Sequence, residues 1–335
     1  MGNKVYSKKV FDSRSKIIEI SSFSNSNYFM KKKYIRTLKL FSKYSFFIFF
    51  VVIATNYIKD NSTYFMPQEY KTIKKIVDKI ALKNNLGYEE IPFSIGSGAY
   101  MEYEAEKLGL CKKEDCYYFK NLNPYKRHKD FKEVNLNELS KQSFLYNSIE
   151  AYAWSGVVWI SKSTFKTYGD KTNYLGCLIG HELSHIIYND HLEQSIKLSK
   201  KIKDYQNLKD ENNKELNNEE LKKEEDEKKD LYEKLLSRES ETKADQNGAR
   251  MIINAGYPND TCLKSLTFLS KKNYTDAHTE LKSTHPGHLE RYKSLKTFID
   301  SYDKEVKTLK PYKWSWKYNR NQNTLTFSPH KKVND

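Results

Sequence analysis

The chain has 335 residues, 38% of them hydrophobic and 30% charged, with a formal net charge of +15. That length holds one sizeable domain plus extras. Eleven Lys or Arg stand in the first 54 residues against Asp12 and Glu19, so most of the positive excess is a leader. It is not a nucleic-acid footprint, and no nucleic-acid motif follows it.

Residues 1–29 read as a basic leader or a mis-called extension, with Met30 as an alternative start. From Met30 a charged run, Lys31, Lys32, Lys33 and Arg36, leads into the apolar stretch Phe46 to Ala54, the order of an export signal. Residues 30–58 are therefore expected to be a signal peptide or a membrane anchor. Val52 and Ala54 suit cleavage before Thr55, while Tyr44 to Ile58 is just long enough to anchor. Either way the protein is expected to be exported, to the periplasm or anchored facing outside the cytoplasm. Myristoylation is disfavoured because Tyr6 stands where Ser or Thr is wanted. A lipoprotein anchor is excluded by the lack of a nearby Cys, and no second apolar span follows.

Pro67 to about Leu86 has helical spacing, with Ile73, Ile76, Val77 and Ile80 apolar. Cys111 and Cys116 are spaced for a local disulfide in an oxidising compartment. No second Cys pair follows to make a zinc ribbon. Ala151 to Ser161 favours a strand, with Gly156 marking a bulge or close backbone approach. If it is a sheet edge, an extended substrate can pair with it around Tyr152, Ala153, Val157 and Val158.

The apolar run from Tyr174 carries Gly180-His181-Glu182-Leu183-Ser184-His185, an H-E-x-x-H pattern within a helix. Residues four apart share a helix face, so His181 and His185 can converge on one metal, with the Glu182 carboxylate beside it as a proton acceptor. Buried His and Glu in so apolar a helix need partners, and a metal supplies them. A catalytic zinc takes three protein ligands, so a third is sought. Glu241 is one candidate, four residues before Asp245 on a helix expected to stop at Ala255-Gly256-Tyr257-Pro258. There Asp245 would fix a ligating His through its other ring nitrogen. His191 is the other, at the offset of the longer metzincin motif, but Tyr188 stands where that motif needs Gly. Glu241 is preferred. Cys177, one turn before His181, is read as a small core residue, and Cys262 has no evident partner.

Residues 192–237 are a charged insert of solvated helices, a hairpin broken near Asn212-Asn213 that serves as a spacer. Pro286 to about Leu309 reads as a further helix. Residues 311–335 alternate around Asn319–Asn323 as a C-terminal hairpin and tail. His288, His278, His128 and His330 are taken as surface residues.

Four segments in order resemble the gluzincin peptidase family of HtpX, BepA and the CAAX prenyl protease, in its soluble or single-anchor form. They are Glu150 to Ser161, the His181–His185 motif, the Glu241/Asp245 segment ending at Ala255-Gly256-Tyr257, and Ser283-Thr284-His285-Pro286 followed by Arg291. The first usually opens with Asn, where this chain has Glu150. The resemblance, which covers roughly Phe144 to Leu295, implies an α+β, mainly helical zincin-type fold with a small sheet beside the active-site helix, and the zinc peptidase domain is expected over residues 60–310. It implies one Zn2+ per chain on His181, His185 and Glu241, with Glu182 as general base. His285 would lie over the metal, and Asp245 and Arg291 would support the ligands and the loop. The activity expected is zinc endopeptidase of the cell envelope acting on unfolded or misfolded proteins, with the membrane surface a partner if the N-terminal segment is retained. A non-catalytic chaperone-like binder on the same scaffold, or a metzincin-type protease using His191, are the alternatives.

Overall fold

The computed structural model describes residues 44–53, 65–146, 148–211, 218–272, 277–280, 283–303 and 313–330. The chain divides into two units, Met1–Lys59 and Asp60–Asp335. In the first, residues 44–53 form a helix, α1, whose Phe46 to Ile53 side chains are exposed. The leader 1–29 lies outside the described residues, as do the ends of the 30–58 segment. Among the described residues no helix is long and apolar enough to cross a membrane.

The second unit opens with α2 (Gln68–Ala81), where Tyr70, Ile73, Ile76, Val77 and Ile80 recur at three- and four-residue spacing and are buried. It ends short of Leu86. Asn84 turns the chain by donating Nδ2 to the carbonyls of Ile80 and Met251, both at 2.9 Å. β1 (Ile91–Gly96) follows, then α3 (Ala99–Lys107), a 3-10 turn at Lys113–Asp115, α4 (Tyr117–Lys120) and α5 (Leu136–Leu145). These helices bury their own cluster of Met101, Ala105, Leu110, Phe119, Leu122, Leu136 and Leu139, and the Cys111–Cys116 disulfide closes it.

The segment read as one strand is a hairpin of β2 (Ala151–Trp154) and β3 (Val157–Ser161). Ser155 (φ 49°) and Gly156 (φ 80°) are both left-handed, the conformation of a two-residue hairpin turn, so Gly156 turns the chain and is no bulge. The chain continues through α6 (Lys162–Tyr168), α7 (Thr172–Ile187), α8 (Asp190–Glu211), α9 (Asn218–Asn254), α10 (Thr261–Lys271) and α11 (His288–Ser301). It ends with β4 (Trp314–Asn319) and β5 (Thr324–Pro329). α11 is shorter than the helix expected to Leu309, and 304–310 lie outside the described residues.

The five strands form one mixed sheet in the order β2-β3-β1-β5-β4, with β1 and β3 parallel and the other pairs antiparallel. The C-terminal hairpin is thus part of the central sheet and not an appendage, because Leu325 and Phe327 are buried where β5 pairs with β1. Tyr70 ties α2 to this sheet, its hydroxyl donating to Asn323 O at 2.5 Å and accepting from Ile95 N at 3.1 Å. Trp314 and Trp316 both donate their indole N–H to Asp78 Oδ1 at 2.7 Å.

The register corrects one expectation. Val158 sits between Ala153 of β2 and Phe93 of β1, and Val157 pairs with Trp154, so neither offers a free edge. Of this hairpin the edge strand is β2, with Tyr152 and Ala153 on it. A second correction concerns cysteine. Cys177 and Cys262 are joined in a disulfide that links α7 to α10. They stand 85 residues apart in sequence, and only helix packing brings them together.

α8 and α9 form the helical hairpin anticipated for the charged insert, and the expected break at Asn212-Asn213 lies outside the described residues. Lys197 bridges Glu193 and Glu239 at 2.7 and 3.3 Å, and Lys243 meets Glu239 at 2.9 Å. α9 is continuous from this insert into the core.

Candidate metal centre

Two glycines bring the site together. A Cβ on Gly180 of α7 would meet Gly248 O at 3.1 Å, and one on Gly248 of α9 would meet His181 N at 2.8 Å. Backbone lies on backbone at this crossing, with no room for side chains. Glu241 and Asp245 stand two turns and one turn before Gly248, and so are carried down against His181 and His185.

The two imidazoles turn their Nε2 atoms toward each other, 3.2 Å apart. Glu241 completes a triangle, with Oε2 at 3.2 Å from His181 Nε2 and Oε1 at 3.5 Å from His185 Nε2. In a tetrahedral site with metal–ligand bonds of about 2.0–2.1 Å, ligand atoms lie roughly 3.3 Å apart. The His181–His185 edge matches that spacing, one oxygen of Glu241 lies near each nitrogen, and these three residues, with one ligand atom each within 4.8 Å of the others, form a group able to hold a metal ion. Glu241 Oε2 is moreover buried with no well-aligned hydrogen bond, an atom a cation would satisfy.

The outer nitrogens are held too. His181 Nδ1 meets Asp245 Oδ1 at 2.9 Å, and Arg291 grips Asp245 through Nε at 2.7 Å and Nη2 at 2.6 Å. His185 Nδ1 meets Asp190 Oδ2 at 2.7 Å, and that oxygen also accepts from Ser240 Oγ at 2.8 Å. Each carboxylate orients a ring so that Nε2 points inward. Asp190 and Ser240 were not anticipated. Asp190 belongs to no motif, and Ser240 is hidden beside Glu241.

These contacts set the electrostatics. Burial opposes charge on His181, but Glu241 and Asp245 outweigh it and push the ring up to about 10. On His185 burial is likewise outweighed, by Asp190 and Glu241, and the ring is pushed up to about 9. Burial raises Asp245, yet Arg291 and His181 prevail and bring it down to about 2. Glu241 is held well below the usual carboxylate range, its burial overcome chiefly by His181. Glu182 alone goes the other way. Burial drives its carboxyl up, against the pull of His181 and His185.

His285 lies on the segment before α11, exposed, with Nε2 at 3.6 Å from Glu241 Oε2. It lines the same cavity as Glu182, Glu241, Ala151 and Tyr152. Tyr152 stacks on Trp159 at 4.8 Å and donates its hydroxyl to Asn121. His191 is elsewhere. Tyr188 continues past α7, and Asn189 (φ 50°) makes the turn one residue later. Asp190 therefore falls beneath His185, while His191 swings out to β2, where Nε2 meets Ala153 O at 2.8 Å. The metzincin arrangement is not formed. Of the remaining histidines His278 is exposed, whereas His128 is part-buried, with Nε2 at 2.8 Å from Asn123 O.

No curated protein and no solved structure matches the chain. A family model, that of peptidase family M48, matches residues 131–299, from just before α5 into α11. That span carries every residue of the His–His–Glu group and both carboxylates behind it. The chain belongs to peptidase family M48, which includes HtpX, BepA and the CAAX prenyl protease.

Proposed function

We propose that the protein is a zinc endopeptidase of the cell envelope that cleaves unfolded or misfolded chains. The observation that carries this reading is the convergence of His181, His185 and Glu241 into a group able to hold a metal ion, with the raised carboxyl of Glu182 beside it. Bound there, zinc would supply Lewis acidity toward the scissile carbonyl and the attacking water. Glu182 takes the proton of that water and passes it to the leaving amine, a transfer favoured by a carboxyl whose affinity for protons is raised. His285 at the cavity mouth steadies the developing oxyanion. Asp245, with Arg291 behind it, and Asp190, with Ser240, keep the two rings aimed at the centre.

The edge strand supports a substrate in extended form. Hydrogen-bonding pairs alternate along an antiparallel ladder. Glu150 O accepts from Ser161 N, so Ala151 and Ala153 turn their amide groups to the open side of β2. His191 occupies the carbonyl of Ala153 and marks one end of that edge. Pairing through the main chain reads few side chains, which suits clients that are unfolded. All four cysteines are paired, as an oxidising compartment requires, and the basic run before Phe46–Ala54 fits export.

The test is casein digestion by zinc-loaded wild type and Glu182→Gln. The variant keeps the size and hydrogen bonding of the side chain but loses the base. Zinc content and folding should persist while cleavage falls by about 10³-fold or more. Undiminished cleavage would remove Glu182 from the chemistry. A wild type that retains unfolded casein without cutting it would favour the chaperone-like alternative.

A further inference from the structure

The cavity at the metal centre, about 310 Å³, runs past the ligands to a cation that the chemistry above does not use. Lys120, the last residue of α4, lines it together with Glu150, Ala151 and Tyr152. Gly98 N donates to Lys120 O at 3.0 Å, which fixes the backbone there. The side chain lies over two aromatic rings, with Nζ 5.4 Å from the Tyr152 centroid and 5.3 Å from that of Trp159. Among the described residues Glu150 is the acid in ion-pair range, its Oε2 3.7 Å from Nζ, too far for a hydrogen bond. That oxygen already accepts from Ala99 N at 2.8 Å, and Oε1 accepts from Ser148 Oγ at 2.8 Å. Glu150 is thus engaged at the N-terminus of α3. Glu102, whose charge also reaches Tyr152, lies in the first turn of α3, where the helix dipole offsets it. Arg291, another cation of the lining, is bound twice by Asp245. Lys120 instead brings to the cavity an ammonium with no hydrogen bond among the described residues.

Register defines what this ammonium would meet. Side chains alternate between the faces of a strand, and partners across a ladder share a face. Ala151 packs on the core that includes Leu175 and Ile179 of α7. Tyr152 stacks on its partner Trp159 on the other face, under Lys120. A substrate strand on the open edge of β2 therefore turns the residue opposite Tyr152 toward Lys120. We propose that Lys120 forms a subsite for a carboxylate of the bound chain, an acidic side chain opposite Tyr152 or the α-carboxylate of a chain that ends there. The inference rests on the peptidase reading and adds a charge preference to it.

The experiment uses full-length Glu182→Gln loaded with zinc, so that binding is read without turnover. Fluorescent peptides with an amidated end and one central Glu, Gln or Lys are titrated by anisotropy. A second series is cut short at the central Gln and ends as the acid or the amide. At low salt the Glu peptide should bind about fivefold more tightly than the Gln peptide, or the acid than the amide. The first result assigns the subsite to a side chain, the second to a chain end. Adding Lys120→Met should erase the discrimination with zinc content unchanged, and Lys120→Arg should keep it. Lys120→Glu should turn the preference toward the Lys peptide, and with Lys120→Arg it carries the comparison should Lys120→Met fail to fold. Equal affinity within both series, or a preference that a folded Lys120→Met or Lys120→Glu retains, would overturn the subsite. Cleavage of the same peptides by wild type is measured in parallel. Preference without cleavage would defeat the peptidase reading alone, and cleavage without preference would defeat the subsite alone.

Discussion

At the scale of single residues, the centre is a set of opposed charges held by burial. Two imidazoles face each other at 3.2 Å with a carboxylate between them, and further carboxylates behind them, so protons and a metal compete for the same Nε2 atoms. His181 at about 10 and His185 at about 9 both lie above the ordinary 6.5, so at pH 7 the rings favour protons unless a cation replaces them. The sign follows directly. Metal uptake releases protons, and affinity rises with pH until the rings lose them unaided, near pH 9 to 10. Calorimetric titration with zinc at pH 7, in buffers of different ionisation enthalpy, should show release of at least one proton per metal. A heat independent of the buffer would contradict it. Glu182, Glu241, Asp245 and His285 were legible in the sequence because their spacings are those of helix faces and of a known family. Asp190 was not, because its partner His185 meets it only through the Asn189 turn, which no pattern announces.

Elements show why those residues meet. The crossing of α7 and α9 is set by Gly180 and Gly248, and neither position tolerates a Cβ without moving backbone. Gly248→Ala would place a methyl 2.8 Å from His181 N. Overpacking of this kind costs about 1–3 kcal/mol, and here it also pushes Glu241 and Asp245 away from the histidines. The variant should lose about 2–5 °C in Tm and bind zinc at least tenfold more weakly. Gly256→Ala, where nothing lies within 4 Å of a Cβ but φ is 82°, serves as the control, with strain but no shift of the crossing. If Gly248→Ala binds zinc as wild type does, the crossing does not set the site. The helices themselves were readable from apolar spacing and from the stop at Ala255-Gly256. The hairpin at Ser155-Gly156 was misread as a continuous strand, because Val157 to Ile160 and Ala151 to Trp154 have the same strand-favouring character on either side. Gly156 alone could signal a bulge or a turn, and only the paired positive φ of Ser155 decides.

Over the whole molecule, long-range pairing completes what local pattern cannot. β5 comes from the far end of the chain and inserts beside β1, and the Cys177–Cys262 link closes a loop of 85 residues between α7 and α10. Both are set by packing at a distance, so in the sequence the C-terminal strands read only as a hairpin and tail, and Cys262 shows no evident partner. Closing so long a loop restrains the unfolded chain most, a stabilisation of up to about 4 kcal/mol in the chain-entropy view. The fold thus clamps α7 from three sides, by sheet, by α9 and by α10, and this rigidity positions the metal ligands. The central claim is that His181, His185 and Glu241 together hold one zinc, with His191 uninvolved. Metal analysis of purified full-length protein tests it most directly. Wild type and His191→Ala should each carry about one zinc per chain, while His185→Ala and Glu241→Ala carry little or none. Zinc retained by Glu241→Ala but lost from His191→Ala would contradict the account.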